Sequence, residues 1–432
     1  MLNRSTNTAN RVTANRLVVN AGALMISSLA TGLLGLVYWV VAGRCFPAAA
    51  VGQASAVVST ATALASLSCL SLGGAFQRFL PIAGDRSARL VAGGYAIVCT
   101  AAVVLGTGFV LTGFGDRILL TTVERATFPL VVIVFALYAL TDPILTGLRR
   151  APAVATKNIT LSVIKIVPLF LLAGSGSALS ITGSWTVLAA VITTAFVFHA
   201  VRHAAARRGE RGDQLPPARE MLAFQGAFFT MTLVSSTTPL VVPLIVVHEL
   251  GTTANAYFNL AWTMCTAAGL LRSAVGSAFV VEASQPSADR PALLRHLRRM
   301  LTGVTALTVV GVAIGGPIVL LLAGREYVES AGWLMVIMAG TAVVETVVLT
   351  YFLIAQLQRR MRLMLITQIV MVIVTVGGAF VLIGPLGLTG VGLASLSSAT
   401  VALALVARPL ARGVREMAGE PSPVAPARPL VG

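Results

Sequence analysis

The chain has 432 residues, of which 56% are hydrophobic and 11% charged, and it carries a formal net charge of +16. Soluble domains average about a quarter charged residues, so the composition excludes a soluble globular protein and selects one that spans a bilayer. The apolarity lies in long uncharged runs and not in ten-residue alternating segments, so the spans are helices and not barrel strands.

Arg4, Arg11 and Arg16 precede an uncharged run over residues 17–43. That run is too long for the apolar core of a cleaved signal and is expected to stay as the first span, near 19–43. It leaves through Arg44, Phe46 and Pro47, and a second span, rich in small residues, returns over 51–76 to Arg78. Further spans are expected between 89 and 116, between 125 and 149, over 156–173 and over 181–201. The stretch 202–220, RHAAARRGERGDQLPPARE, is the longest polar interior segment and reads as a basic linker. A seventh span over 221–247 contains Pro239 and Pro243, which remove backbone hydrogen bonds and mark a bend or hinge. The remaining spans fall near 254–281, 300–323, 331–356, 363–383 and 386–407, with 282–299 as a basic inner loop and the tail 408–432 disordered.

Two six-helix lobes, 1–201 and 221–407, therefore flank the linker. Each contains a fourth helix ending in paired arginines, Arg149-Arg150 and Arg359-Arg360. Six is even, so both halves start from the same face and repeat about an axis along the membrane normal, with a transport route between them. On this topology with a cytoplasmic N-terminus, most of the 31 Lys and Arg fall in inner loops. The positive charge is thus a signature of orientation, with anionic membrane lipids as its partner and no nucleic acid implied.

The four cysteines show no paired spacing and read as packing residues. His199 and His203 have helical spacing but no third ligand, so no metal is expected. No G-x-x-x-x-G-K-[ST] cradle is present, and no nucleotide or other cofactor is implied.

A charge inside hydrocarbon costs about 2.5 to 3.5 kcal/mol on insertion scales, so each one needs a partner or a task. Asp142 and Lys165 lie on helices joined by a short inner hairpin, both roughly 10 to 12 Å above the inner edge when counted from Arg149 and from Lys157, and are expected to form a lobe ion pair or to couple an ion. Arg272 lies roughly 15 Å deep on the eighth span. It either pairs with Glu345 on the tenth or faces a wet cavity to receive an anionic head group, which a guanidinium suits. Arg78 either snorkels to lipid or guards the cavity mouth. Asn20, Gln53, Asn259 and Gln368 are polar groups that could meet sugar hydroxyls or bond neighbouring helices.

Three stretches carry a resemblance: Asn20-Ala-Gly through AGRCFPAAAVGQASAVVS to GGAFQRFLP, then LTGLRRAPAVATKNITLSVIKIVPLFLL, then VVHELGTTANAYFNLAWTMCTAAGLL. With twelve spans, the chain resembles the multidrug/oligosaccharidyl-lipid/polysaccharide flippase superfamily on its Wzx-type polysaccharide-export branch. The resemblance implies an all-α, MATE-like fold with two six-helix lobes, bent first and seventh helices and a cationic cavity. It implies a transporter, not an enzyme, that moves an undecaprenyl-pyrophosphate-linked glycan across the cytoplasmic membrane by alternating access. Both termini are then cytoplasmic, Arg272 is the cavity arginine by type and depth, and a polysaccharide polymerase and glycosyltransferases of the same pathway are partners. Drug exporters of the superfamily couple to protons or sodium through buried carboxylates, which keeps a second reading open on Asp142 and Glu345.

Overall fold

The computed structural model describes residues 30–207, 218–283, 289–358 and 360–418. Among these, every regular element is helical. Ten helices among the described residues are long and apolar enough to cross a membrane, and a shorter apolar helix, α1 (Ala30–Cys45), precedes them. One of the ten, α9 (Ala218–Ala283), is two helices meeting at Gly251, whose φ of 86° and ψ of 174° lie outside the range that L side chains readily adopt. Val104, Phe198, Trp333, Ile373 and Phe380 are each more than half exposed, as apolar side chains facing lipid are.

The helices pack in two compact units, Met1–Thr263 with Val319–Ser330, and Met264–Ile318 with Ala331–Gly432. The first unit is built on α2 (Ala48–Ser68), α4 (Ser87–Leu111), α5 (Thr122–Gly147) and α8 (Ala178–Ala206), which pack on one another. At the start of α5, Thr121 and Glu124 form a reciprocal capping box. Glu124 is buried, and Gln53 Nε2 on α2 donates to its Oε1 at 3.0 Å, so the cap also ties α2 to α5. The backbone beyond the Gly251 break also lies against α2. Asn255 Nδ2 donates to Gly52 O at 2.8 Å and to Ser55 Oγ at 3.0 Å, and Gly52 faces the Thr252 carbonyl with no room for a side chain.

Four expectations are corrected. The second span ends at Ser68, because Leu70 and Ser71 take left-handed dihedrals, and the chain resumes as α3 (Leu72–Phe79). The fifth span is α6 (Ala151–Ile164) and α7 (Val167–Leu171), interrupted at Lys165–Ile166, where Pro168 can supply no N–H to the preceding turn. The ninth starts at Arg290 as α10 (Arg290–Val310), inside the expected basic loop. It then passes through a wide π turn, Gly311–Gly315, into α11 (Gly316–Ala323), with Pro317 just beyond the turn. The last span, α14 (Leu388–Ala418), continues well past Arg408, where a disordered tail was expected.

The two unexpected extensions share one cause. Leu297 and Leu301 of α10 and Met417 of α14 are buried with Phe279, Leu353 and Ile354, and Leu293, Leu410 and Val414 pack against them. Spacings of three and four residues place these side chains on one helix face, and burying that face overrides the polar composition around it. Gln358 and Arg360 bond Glu416 across the same region, at 2.9 and 3.5 Å. Between α10 and α14 in sequence also lie α12 (Arg325–Leu357) and α13 (Met361–Leu386), the latter packed along α14. The linker residues 208–217, the first 29 residues and the end of the chain from 419 lie outside the described residues.

The Gly52 crossing yields a direct test. A methyl at Gly52 would fall on the Thr252 carbonyl, whereas one at Gly35 would meet nothing within 4 Å. Gly52→Ala is expected to destabilise the purified protein by about 1 to 3 kcal/mol, the usual range for overpacking, read as a lowered melting temperature. Gly35→Ala should leave the melting temperature in place.

Candidate functional site

Three buried charge centres lie within the units. The first forms where α5 and α6 meet through the turn at Leu148–Arg150, in which Arg149 has a φ of 61°. Lys157 Nζ lies 2.7 Å from Asp142 Oδ1 and donates to Tyr138 O at 2.6 Å, with its ammonium 3.2 Å from the Tyr138 ring centroid. Asn158 Nδ2 donates to Asp142 Oδ2 at 3.0 Å and Tyr138 Oη donates to Asn158 Oδ1 at 2.6 Å. Each charge is therefore answered within the cluster. Asp142 was expected to meet Lys165, and the structure corrects the partner to Lys157. The turn at 148–150 sets α6 beside α5 so that Lys157 arrives at the depth of Asp142, while Lys165 lies at the helix interruption.

Lys165 forms the second centre. It is only 6% exposed, and its Nζ sits 3.7 Å from the Trp185 ring centroid and 4.8 Å from that of Tyr38. Trp39 and Phe135 extend this aromatic cluster, their ring centroids 6.0 and 6.3 Å from that of Trp185. The side chains come from α1, α5, α8 and the α6–α7 break, so each surrounding helix brings a ring and the break brings the amine. Tyr38 Oη is buried and has no hydrogen-bond partner among the described residues. Among the same residues Lys165 has no carboxylate partner, and its charge is met by ring faces, which contribute about 2 kcal/mol when desolvated. The sequence reading missed this cage. The adjacent Tyr38-Trp39 pair, Trp185, and a proline three residues after a lysine in an apolar run were its available signals.

The third centre lies in the second unit. Arg272 Nη2 and Glu345 Oε2 are 3.1 Å apart, and Arg272 Nη1 donates to Ala342 O at 2.7 Å and to Thr346 Oγ1 at 3.4 Å. Thr346 in turn shares a hydrogen bond of 2.8 Å with Thr305. The guanidinium is buried, while the Glu345 side chain remains 41% exposed. Arg272 is thus fully engaged by α12.

Arg78 is exposed in the last turn of α3, its guanidinium 5.4 Å from the Phe79 ring centroid. Pro239 and Pro243 lie inside α9, but the only non-helical backbone there is at Gly251. Gln53 is taken up by Glu124 and the Ile118 carbonyl. Asn259 Nδ2 and Gln368 Oε1 are buried without a partner among the described residues, and Asn20 lies outside them. Among the described residues no cluster of His, Cys, Asp and Glu could hold a metal ion, and the four cysteines are free.

Comparison with family models and with curated proteins finds no match. Solved structures do match. The lipid II flippase MurJ in an inward closed conformation superposes with a TM-score of 0.66 at 12% identity, covering 91% of this chain and 89% of that one. An inward-facing multidrug resistance MATE family transporter of the MOP superfamily gives 0.66 at 16% identity, covering 92% and 100%. The MATE multidrug transporter DinF-BH gives 0.63 at 14%, covering 94% and 97%. At these identities the likeness is one of fold: the chain is a multi-span helical protein with the fold that MurJ and the MATE proteins share.

The Asp142–Lys157 cluster predicts strong coupling. Asp142→Asn or Lys157→Met alone leaves one charge buried without its partner and should destabilise by about 3 to 5 kcal/mol. The double substitution should cost clearly less than the sum. Thermal unfolding of the four proteins in detergent closes the cycle, and an additive result would exclude the coupling.

Proposed function

We propose that this protein flips an undecaprenyl-pyrophosphate-linked oligosaccharide across the cytoplasmic membrane by alternating access, for surface polysaccharide synthesis. In this reading the amine of Lys165 and its aromatic cage meet the diphosphate and the first sugars. The observation that carries it is that Lys165 is a buried cation with no carboxylate among the described residues, whereas Lys157 and Arg272 are neutralised by Asp142 and Glu345. An anionic ligand gains most from a cation whose charge is not already spent on a carboxylate. Ring faces accept the apolar faces of sugars, and the Tyr38 hydroxyl is available to a hydroxyl or phosphate oxygen. The likeness in fold to MurJ, a lipid II flippase, supports the same substrate chemistry.

Arg272 joins this scheme conditionally. Its guanidinium is offered to a phosphate only when Glu345 is displaced or protonated, so the pair acts as a latch and not as a standing anion site. Arg78 receives the head group at the inner face, Pro239 and Pro243 flex the seventh span, both termini are cytoplasmic, and the pathway's polymerase and glycosyltransferases consume and supply the glycan.

A second reading, a proton- or sodium-coupled small-molecule exporter, draws on the equal fold likeness to a MATE transporter. In that case the coupling cation must displace Lys157 from Asp142 or Arg272 from Glu345.

Cells lacking the protein, complemented with each variant at matched membrane levels, separate the two. Lys165→Met should lower the clearance of carrier-linked oligosaccharide about 10- to 100-fold, the loss expected from one charge-assisted contact, with surface polysaccharide falling in step. Lys165→Arg should retain part of the function. Unchanged carrier lipids in the deletion strain, together with greater sensitivity to toxic organic cations, would overturn the flippase reading in favour of the exporter.

A further inference from the structure

The first turns of α10 hold a cavity that neither charge pair uses. It has a volume of about 630 Å³ and is lined by Ala292, Arg295, His296, Arg298, Arg299 and Thr302. Ala292, Arg295, Arg299 and Thr302 recur at three- and four-residue steps and so share one helix face, while Leu297 and Leu301 anchor another face in the core. Of the described acids of this unit, Glu282 is exposed in the last turn of α9 and the others are engaged. Asp289 caps the helix through Ala292 N at 3.0 Å, Glu345 holds Arg272 and Glu416 holds Arg360. Arg295, Arg298 and Arg299 thus bring three positive charges around one space, and none of them has an ion pair with an acid among the described residues.

The surroundings say what kind of molecule balances them. Leu307 and Val310 are exposed along the same helix beyond the cavity, at 62% and 53%, and Met300 is exposed at 42% within its length. A polar, cationic hollow followed by exposed apolar side chains on the same helix matches an anionic head group continued by hydrocarbon chains, and a soluble phosphate would use only the first part. The volume lies in the range of small-molecule sites, about 300 to 1,000 Å³, so it takes a head group and not a whole glycan. Guanidinium groups bind phosphate oxygens bidentately.

We infer that this cavity is a binding site for the phosphate head group of a membrane lipid, separate from the Lys165 cage and independent of what the protein transports. A glycerophospholipid and an isoprenyl diphosphate share the required chemistry.

The test is a lipid titration of the full chain in detergent, read by native mass spectrometry, with phosphatidylglycerol, geranylgeranyl diphosphate and, as the zwitterionic control, phosphatidylcholine. The variant Arg295→Gln/Arg298→Gln/Arg299→Gln should bind the anionic lipids at least about tenfold more weakly, each arginine contributing to the attraction. Arg408→Gln/Arg412→Gln/Arg415→Gln on α14 removes the same charge elsewhere and should change binding by less than about twofold. The all-lysine version of the first triple keeps the charge, guards against misfolding and should fall between the two. A loss confined to phosphatidylglycerol assigns a resident phospholipid, and a loss greater for the isoprenyl diphosphate assigns a carrier-lipid station. Unaltered affinity, or an equal loss in the α14 control, would overturn the site.

Discussion

Hydrocarbon does not solvate charge, and the interior of this protein is arranged around that constraint. Lys157 is completely enclosed, yet its ammonium meets a carboxylate, a carbonyl and a ring face within one short hairpin. Arg272 is handled similarly by Glu345, a helix carbonyl and a threonine, all supplied by one helix. Removing either partner of such a pair leaves a charge in low dielectric, which is why these pairs resist piecemeal change. Lys165 follows a different rule, since quadrupolar ring faces attract a cation without neutralising it. Among the described residues its amine is therefore left without a carboxylate.

The same medium constrains the backbone. In lipid, peptide groups must be satisfied internally, so irregular chain is tolerated only against other protein or a wet cavity. The interruptions fall accordingly. The break at Lys165–Ile166 opens beside the aromatic cage, and the one at Gly251 lies against α2, where Asn255 reaches the Gly52 carbonyl and Ser55. At Leu70–Ser71 the serine hydroxyl finds Thr232 on α9 at 2.9 Å. Each departure from helix is thus seated on a neighbouring helix.

The helical class, the approximate positions of most spans and the identities of the deep charges were legible in the sequence, because apolar run length and the cost of intramembrane charge are local properties. Arg272 and Glu345, at roughly 15 and 21 Å of depth, could be named as partners on condition that the eighth and tenth spans are neighbours, with a cavity-facing Arg272 as the alternative. Asp142 could not be matched that way. The depth count took Lys157 as the inner end of the fifth span, whereas α6 starts at Ala151 directly after the turn, so Lys157 lies as far along its helix from that turn as Asp142 does. The helical extensions at Arg290 and beyond Arg408 were hidden for another reason. Their polar faces dominate composition, and only the contact of Leu297, Leu301 and Met417 with a distant core reveals the apolar stripe. The aromatic cage is the extreme case, drawing on residues from four separate parts of the chain. No window of sequence contains it.

Lys165 and Arg272 illustrate how fold and charge divide the labour of recognition. A guanidinium held by two protein acceptors and a carboxylate has little left for a ligand unless something first removes the carboxylate, so its contribution depends on the state of Glu345. In the proposed function, an amine met by π faces has no carboxylate to give up before it meets a phosphate oxygen. Under the same proposal, recognition of that kind reads the constant part of a lipid-linked glycan, its anionic linkage and the saccharide next to it, and tolerates variation further along. For the function proposed, reading what every repeat shares suits a carrier of successive repeats, and a cation without a carboxylate partner among the described residues, set among aromatic rings, supplies that chemistry.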